Sequence, residues 1–151
     1  MLVWRDAMST GHPEIDGAQK QIINRINAFE TALGRSGSDA AIGLFLTGLY
    51  EQVSTNFSRE EKIQRECAFP FLDAHHREHL TLLGRLADVQ NVYQAMSHDK
   101  DHGALLRDLA ALIKDWVSHH MVGSDVMLRR YVPTPLGRSG GHARDRAAKA
   151  R

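Results

Sequence analysis

A chain of 151 residues that is 42% apolar and 25% charged is long enough for one domain with its own core, too short to suggest two, and outside the disordered and fibrous classes. Net charge is +1, but Arg138–Arg151 holds five of the 19 basic residues and one of the 18 acidic ones, so the remainder is slightly acidic at about −3. With no basic stripe along a helix and no pairing of basic side chains with exposed aromatics, nucleic acid is excluded as a partner, and the single cysteine, Cys67, excludes an internal disulfide.

The opening MLVWRDAMSTGHPEID lacks a basic region followed by a long apolar run, so no signal peptide is expected. The longest apolar stretch, Ala40–Tyr50, is too short for a bilayer and is broken by Gly43, Thr47 and Gly48. A cytoplasmic protein without a membrane partner is expected.

Met1–His12 reads as an irregular arm, with Trp4 laid as an apolar plug over one end of the fold. Pro13 suits a first helical turn, and Glu14 and Asp16 favour the positive end of the dipole. The first helix is expected over Pro13–Leu33, with the seam Ile15, Gln19, Ile22, Ile26, Phe29, Leu33 spaced alternately by four and three. After the turn Gly34–Ser38, a second helix over Asp39–Glu66 carries the seam Ile42, Leu46, Leu49, Val53, Asn56, Glu60, Ile63, Cys67. Cys67–Pro70 turns the chain back into a third helix over Phe71–Met96, whose seam is Leu72, His75, His79, Leu82, Leu86, Val89, Tyr93, Met96. A polar link, Ser97–Gly103, leads to a fourth helix over Ala104–Val122 with the seam Leu106, Leu109, Ile113, Trp116, His120. Pro133 and Pro135 close the ordered part, and a flexible tail is expected over 136–151 for want of apolar periodicity. Four helices of similar length with short links predict an all-α, up-down-up-down four-helix bundle over 1–135.

Each seam carries polar intruders, and the topology brings them to one level. Gln19 lies early on an ascending helix, Asn56 and Glu60 late on a descending one, His75 and His79 early on the next, and His120 late on the last. A rise of about 1.5 Å per residue separates His75 from His79 by roughly 6 Å, so both reach one ion. Asp125, five residues past His120, swings in where the helix loosens near Gly123. Two carboxylates buried without positive charge are costly, and a divalent or trivalent metal is the usual remedy.

The runs IDGAQK, NFSREEKIQ, FPFLDAHHREH and WVSHHMVGSD resemble the signature segments of hemerythrins, bacterial hemerythrin-like proteins in particular, in order and spacing over about Val3–Leu128. The resemblance implies a four-helix bundle holding two non-haem irons that bind O2, with five histidines, a glutamate and an aspartate as the ligands of the irons. Residue by residue, Glu60 and Asp125 match the carboxylates that bridge the irons, and His75, His79 and His120 match the three histidines of one iron. The other iron's histidines are absent: Gln19 stands where the family reads H in IDxQHK, and Asn56 where it reads H in HFxxEE. Both losses fall on the same metal.

A neutral amide oxygen is a weaker ligand for iron than imidazole and suits hard cations better. The resemblance therefore implies one firmly held iron, with two as the alternative, and a weak or water-filled neighbouring position. Gln19 and Asn56 are expected to donate amide hydrogen bonds to Glu60, Asp125 or that water. Gln64, where the family commonly has methionine, either adds a polar group there or faces solvent. Phe57, Trp116, Val117 and Met121 are candidate lining for a dry pocket beside the metal, and each equally suits the core. Reduction of O2 to the level of peroxide takes one electron from each of two irons, so a one-iron site points to binding or sensing of a small diatomic, O2 or NO, or to reaction with reactive oxygen species. A diiron O2 carrier and a superoxide- or peroxide-reactive enzyme are the alternatives. His12 is too far from Gln19 to replace it, His119 points about 100° from His120, and His76, His98, His102 and His142 read as exposed or loop residues.

Overall fold

A computed structural model describes residues 1–36, 39–97 and 101–133. The expected tail lies outside the described residues, as do residues 98–100 of the link before the fourth helix. Four helices follow one another: α1 (Pro13–Ser36), α2 (Asp39–Glu66), α3 (Leu72–Ala95) and α4 (Gly103–Asp115). Consecutive helices pack side by side, giving the up-down-up-down bundle, and there is no strand among the described residues. No described helix is long and apolar enough to cross a membrane.

The core follows the alternating spacing in α1–α3, with Ile22, Ile26, Leu46 and Leu49 almost fully buried and the Phe29 and Phe45 rings stacked at 3.8 Å. In α4 the expected register is corrected. Leu105, Leu109, Leu112 and Trp116 are buried, whereas Leu106 and Ile113 are only partly covered. Both rows share Leu109 and Trp116, and an apolar stripe that wide does not by itself say which edge faces inward. Leu106 and Ile113 instead border a cavity of about 250 Å³ at the α1–α4 seam, together with Leu2, Ile26 and Phe29.

That seam also receives the N-terminal arm, which runs beside α1 rather than over an end of the bundle. The Leu2 N–H donates to Asn27 Oδ1 at 2.7 Å, Asn27 Nδ2 donates back to the Leu2 carbonyl at 2.8 Å, and Lys20 Nζ sits 5.1 Å over the Trp4 ring. Lower down, Asp16 accepts from Ser9 Oγ at 2.5 Å and from the Thr10 N–H and Oγ1, each at 2.8 Å. These bonds satisfy Thr10, which is fully buried.

After Asp115 the chain changes winding. Trp116–Ser124 is π-helical and Asp125–Arg130 is a 3₁₀ segment. Arg129 fastens that segment to the arm by donating to the carbonyls of Ser9 at 2.8 Å and Asp6 at 3.1 Å. Gly11 permits the close approach: its φ is +80°, and a Cβ there would lie 3.3 Å from Arg129 Cγ.

The α2–α3 link is a Schellman closure. The Phe69 N–H donates to the Gln64 carbonyl at 2.9 Å and the Ala68 N–H to the Arg65 carbonyl at 3.1 Å, with Ala68 in the left-handed region at φ 52°. Ala68 is exposed, so its methyl contributes no core packing to offset that conformation. Ala68→Gly is expected to stabilise the fold by about 1 kcal/mol, read as a higher denaturation midpoint at unchanged slope; an unchanged or lower midpoint would count against this account of the link.

Candidate metal centre

Five ionisable side chains converge at the end of the bundle where α1 starts, α2 ends and α3 starts. Glu60 comes from α2, His75 and His79 from successive turns of α3, His120 from the π-helical segment, and Asp125 from the residue that follows it. Each is 3% exposed or less. One donor atom from each of His75, His79, His120 and Asp125 lies within 4.8 Å of the others.

The π winding is what puts Asp125 in the cluster. Five residues of α-helix turn the chain about 500°, leaving Asp125 some 140° from His120. Here the Asp125 N–H bonds to the His120 carbonyl, the i→i+5 closure of a π turn, so the two residues sit one above the other. Asp125 Oδ1 lies 3.0 Å from His120 Nε2 and 3.2 Å from His75 Nε2.

His75 Nε2 also lies 2.7 Å from Glu60 Oε1. Behind the rings stand two further carboxylates: Glu61 Oε1 is 2.8 Å from His79 Nδ1, and Glu78 Oε2 is 2.9 Å from His120 Nδ1. A carboxylate accepts and does not donate, so each of these rings carries its proton on Nδ1 and turns a bare Nε2 lone pair inward. His79 Nε2 and His120 Nε2 are buried without a hydrogen-bond partner. These lone pairs, from α3 and the π-helical segment, converge with Asp125 and His75 into a donor set that fits a metal ion.

Burial, followed by the charge of Asp125, pushes the Glu60 carboxyl up to about 8. Burial works against a charged His75, but the bonds to Asp125 and Glu60 outweigh it and hold that imidazolium up to about 10. Burial, with His75 and His120 alongside, drives His79 strongly down, which keeps it neutral. Without metal the cluster therefore stores protons that a cation would displace.

On the side facing α1, Gln19 Nε2 donates to Asp125 Oδ2 at 2.6 Å, and Gln64 Nε2 donates to Glu60 Oε1 at 2.9 Å. Gln64 is fully buried, so of its two expected positions the inward one is found. Asn56 departs from the inward placement expected of it. It is half-buried, and its Nδ2 reaches the Ala18 carbonyl of α1 at 3.5 Å, because the shorter amide meets the neighbouring backbone before the carboxylates.

Phe57 stacks on His79, with centroids 3.7 Å apart and planes within 7°, and presents edges to Trp116 and His120. Met121 is fully buried, whereas Val117 lines the cavity at the α1–α4 seam. His119 is exposed and pairs with Asp115 at 3.2 Å. His102 is mostly covered and pairs with Asp39 at 3.0 Å, and Cys67 packs with Ile15, Ile63, Phe69 and Leu128. Sequence reasoning passed over Glu61 and Glu78. Each sits one position off its helix's seam, where a carboxylate reads as solvated surface, and the only signal was adjacency to Glu60 and His79.

A family model described as the hemerythrin HHE cation binding domain matches residues 11–131. The bacteriohemerythrin of Stenotrophomonas maltophilia is 28% identical over 125 residues, covering 83% of this chain and 77% of that one. That of Pseudomonas paraeruginosa is 27% identical over 82% of this chain and 76% of its own, and that of Methylococcus capsulatus 26% identical over 80% and 88%. No solved structure gives a significant match. A family match that runs through all four helices and takes in every residue of the buried cluster settles the kinship: the chain belongs to the hemerythrin family.

Proposed function

We propose that this protein is a one-iron member of its family, in which His75, His79 and His120 with Asp125 and Glu60 hold the metal, and that it binds O2 or NO or reacts with reactive oxygen species beside Phe57. The observation that carries the reading is the contrast between the two halves of the cluster. On one side His79 Nε2 and His120 Nε2 are buried without hydrogen-bond partners. On the other, the amide N–H groups of Gln19 and Gln64 already occupy carboxylate oxygens.

Iron bound among these histidines supplies a centre that exchanges one electron and accepts a small ligand. The protein's own groups prepare the place. Glu61 and Glu78 fix the tautomers of His79 and His120. The stacked Phe57 ring keeps one face of His79 dry. Gln19, where the family has an imidazole, orients Asp125 with a hydrogen bond, and Gln64 orients Glu60.

Protein loaded anaerobically with iron is expected to retain close to one iron per chain after dialysis and to form an Fe(II)–NO adduct. Two tightly held irons with diiron absorption bands in air would replace this reading with the O2-carrier alternative, and turnover of superoxide or peroxide faster than free iron would favour the enzyme. His79→Ala is expected to weaken metal binding by more than about 100-fold. Gln19→His combined with Asn56→His is expected to raise iron uptake towards two per chain, and metal content unchanged by that pair would show that the amides do not limit the second position.

The stored protons set opposite pH trends. Glu60 and His75 both bind protons more tightly folded than unfolded, so their contribution to metal-free stability is full below their ordinary values and is lost as pH rises through about 8 and about 10. Metal affinity should climb over the same window, about tenfold per pH unit for each proton released. Thermal melts of metal-free protein and metal titrations at several pH values check the two signs.

A further inference from the structure

We propose that Glu61 and Glu78 are positioning residues that bias the centre towards the trivalent state of its metal, an inference resting on the metal-binding reading above. Of the three histidines, only His79 and His120 have a carboxylate recorded against Nδ1, at 2.8 and 2.9 Å. These are also the rings whose Nε2 has no hydrogen-bond partner. His75 differs, since its Nε2 faces Glu60 and Asp125.

An anion hydrogen-bonded to the far nitrogen draws the ring proton outward, giving the imidazole partial imidazolate character and raising its basicity towards the ion. It also places negative charge on the far side of the ring from the cluster, which for the mostly covered Glu61 is a region that bulk salt screens little. Coulomb attraction scales with the charge of the ion, so both effects favour a trivalent over a divalent state.

The two carboxylates are not equivalent. Glu61 is mostly covered, with its side chain 14% exposed, and the same Oε1 that faces His79 also lies 2.9 Å from Nδ1 of the half-exposed His76. Glu78 is 47% exposed and opens into a surface cleft of about 630 Å³ lined also by Arg77, Asp115, His119 and Ser124. Water in that cleft screens Glu78, so Glu61 is expected to carry the larger share of the bias even though its oxygen is shared with His76.

Glu61→Gln and Glu78→Gln keep the shape and an acceptor oxygen while removing the charge. Glu66→Gln, at an exposed position paired with Lys62, controls for the loss of one surface charge. Divalent affinity is measured with Co²⁺, and the Fe(III)/Fe(II) potential by equilibrium titration of the full-length iron-loaded protein. Each Gln substitution is expected to weaken Co²⁺ binding about tenfold and to weaken Fe(III) more than Fe(II), raising the potential by about 59 mV for each tenfold difference. Glu61→Gln should have the greater effect, Glu61→Asp should restore part of it, and the Glu66 control should move neither readout. The half-exposed Glu78 keeps the test available should Glu61→Gln fold poorly. A protein that binds one iron, with its potential unmoved or lowered by both substitutions, overturns this proposal alone. A protein that takes up neither Co²⁺ nor iron overturns the metal-binding reading along with it.

Discussion

Glu60 and Asp125 are 3% and 1% exposed within one apolar bundle, and two carboxylates that close together cannot both stay ionised without positive charge beside them. Desolvating each costs several kcal/mol, and their mutual repulsion adds to that. The surrounding residues answer this constraint in two ways. In the metal-free protein His75 stands as a cation between the two carboxylates, and Glu60 holds its proton to about pH 8. A cation in the cluster would take over that role, and Nε2 of His79 and of His120 is buried there without a hydrogen-bond partner.

Placing Asp125 is the more demanding half of the geometry, because an α-helix would carry it away from His120. The π-helical stretch Trp116–Ser124 changes the turn, at the expense of regular hydrogen bonding near the end of the bundle. A locally irregular segment needs outside support. Arg129 fastens the following 3₁₀ turn to the carbonyls of Asp6 and Ser9, and Asp16 ties the same part of the arm to α1 through Ser9 and Thr10. The arm therefore belongs to the support of the centre as well as to the α1–α4 seam. This physical chain runs from Asp16 through Ser9 and Arg129 to Asp125.

The centre is also lopsided in the kinds of atoms it offers. Imidazole nitrogens from α3 and the π segment line one side, while amides from α1 and α2 line the other. An amide N–H offers a carboxylate oxygen partial positive charge and direction, which partly offsets the charge buried there. Gln64 contributes to this as much as Gln19 does, and Asn56 contributes to helix packing instead.

The long seams of α1, α2 and α3 were legible because a strict four-and-three alternation turns its residues towards the neighbouring helices, and the burial of Gln19, Glu60, His75 and His79 followed from that. The start of α1 at Pro13 and the full span of α2 were legible from proline, acidic first turns and the apolar period. The core face of α4 was not, since its stripe is wide enough for either Leu105 and Leu112 or Leu106 and Ile113 to face inward, and the packing of neighbouring helices chose the first. Nor were the inward turn of Gln64, the reach of Asn56 to the α1 backbone, or Glu61 and Glu78 behind the histidines, because contacts set by tertiary packing leave no local period. The sequence by itself determined a bundle with a polar level near one end, since helical periodicity acts within each segment. Which amides reach the carboxylates, and which carboxylates stand behind the rings, was decided only by tertiary structure, because those choices depend on distances between helices that no single segment contains.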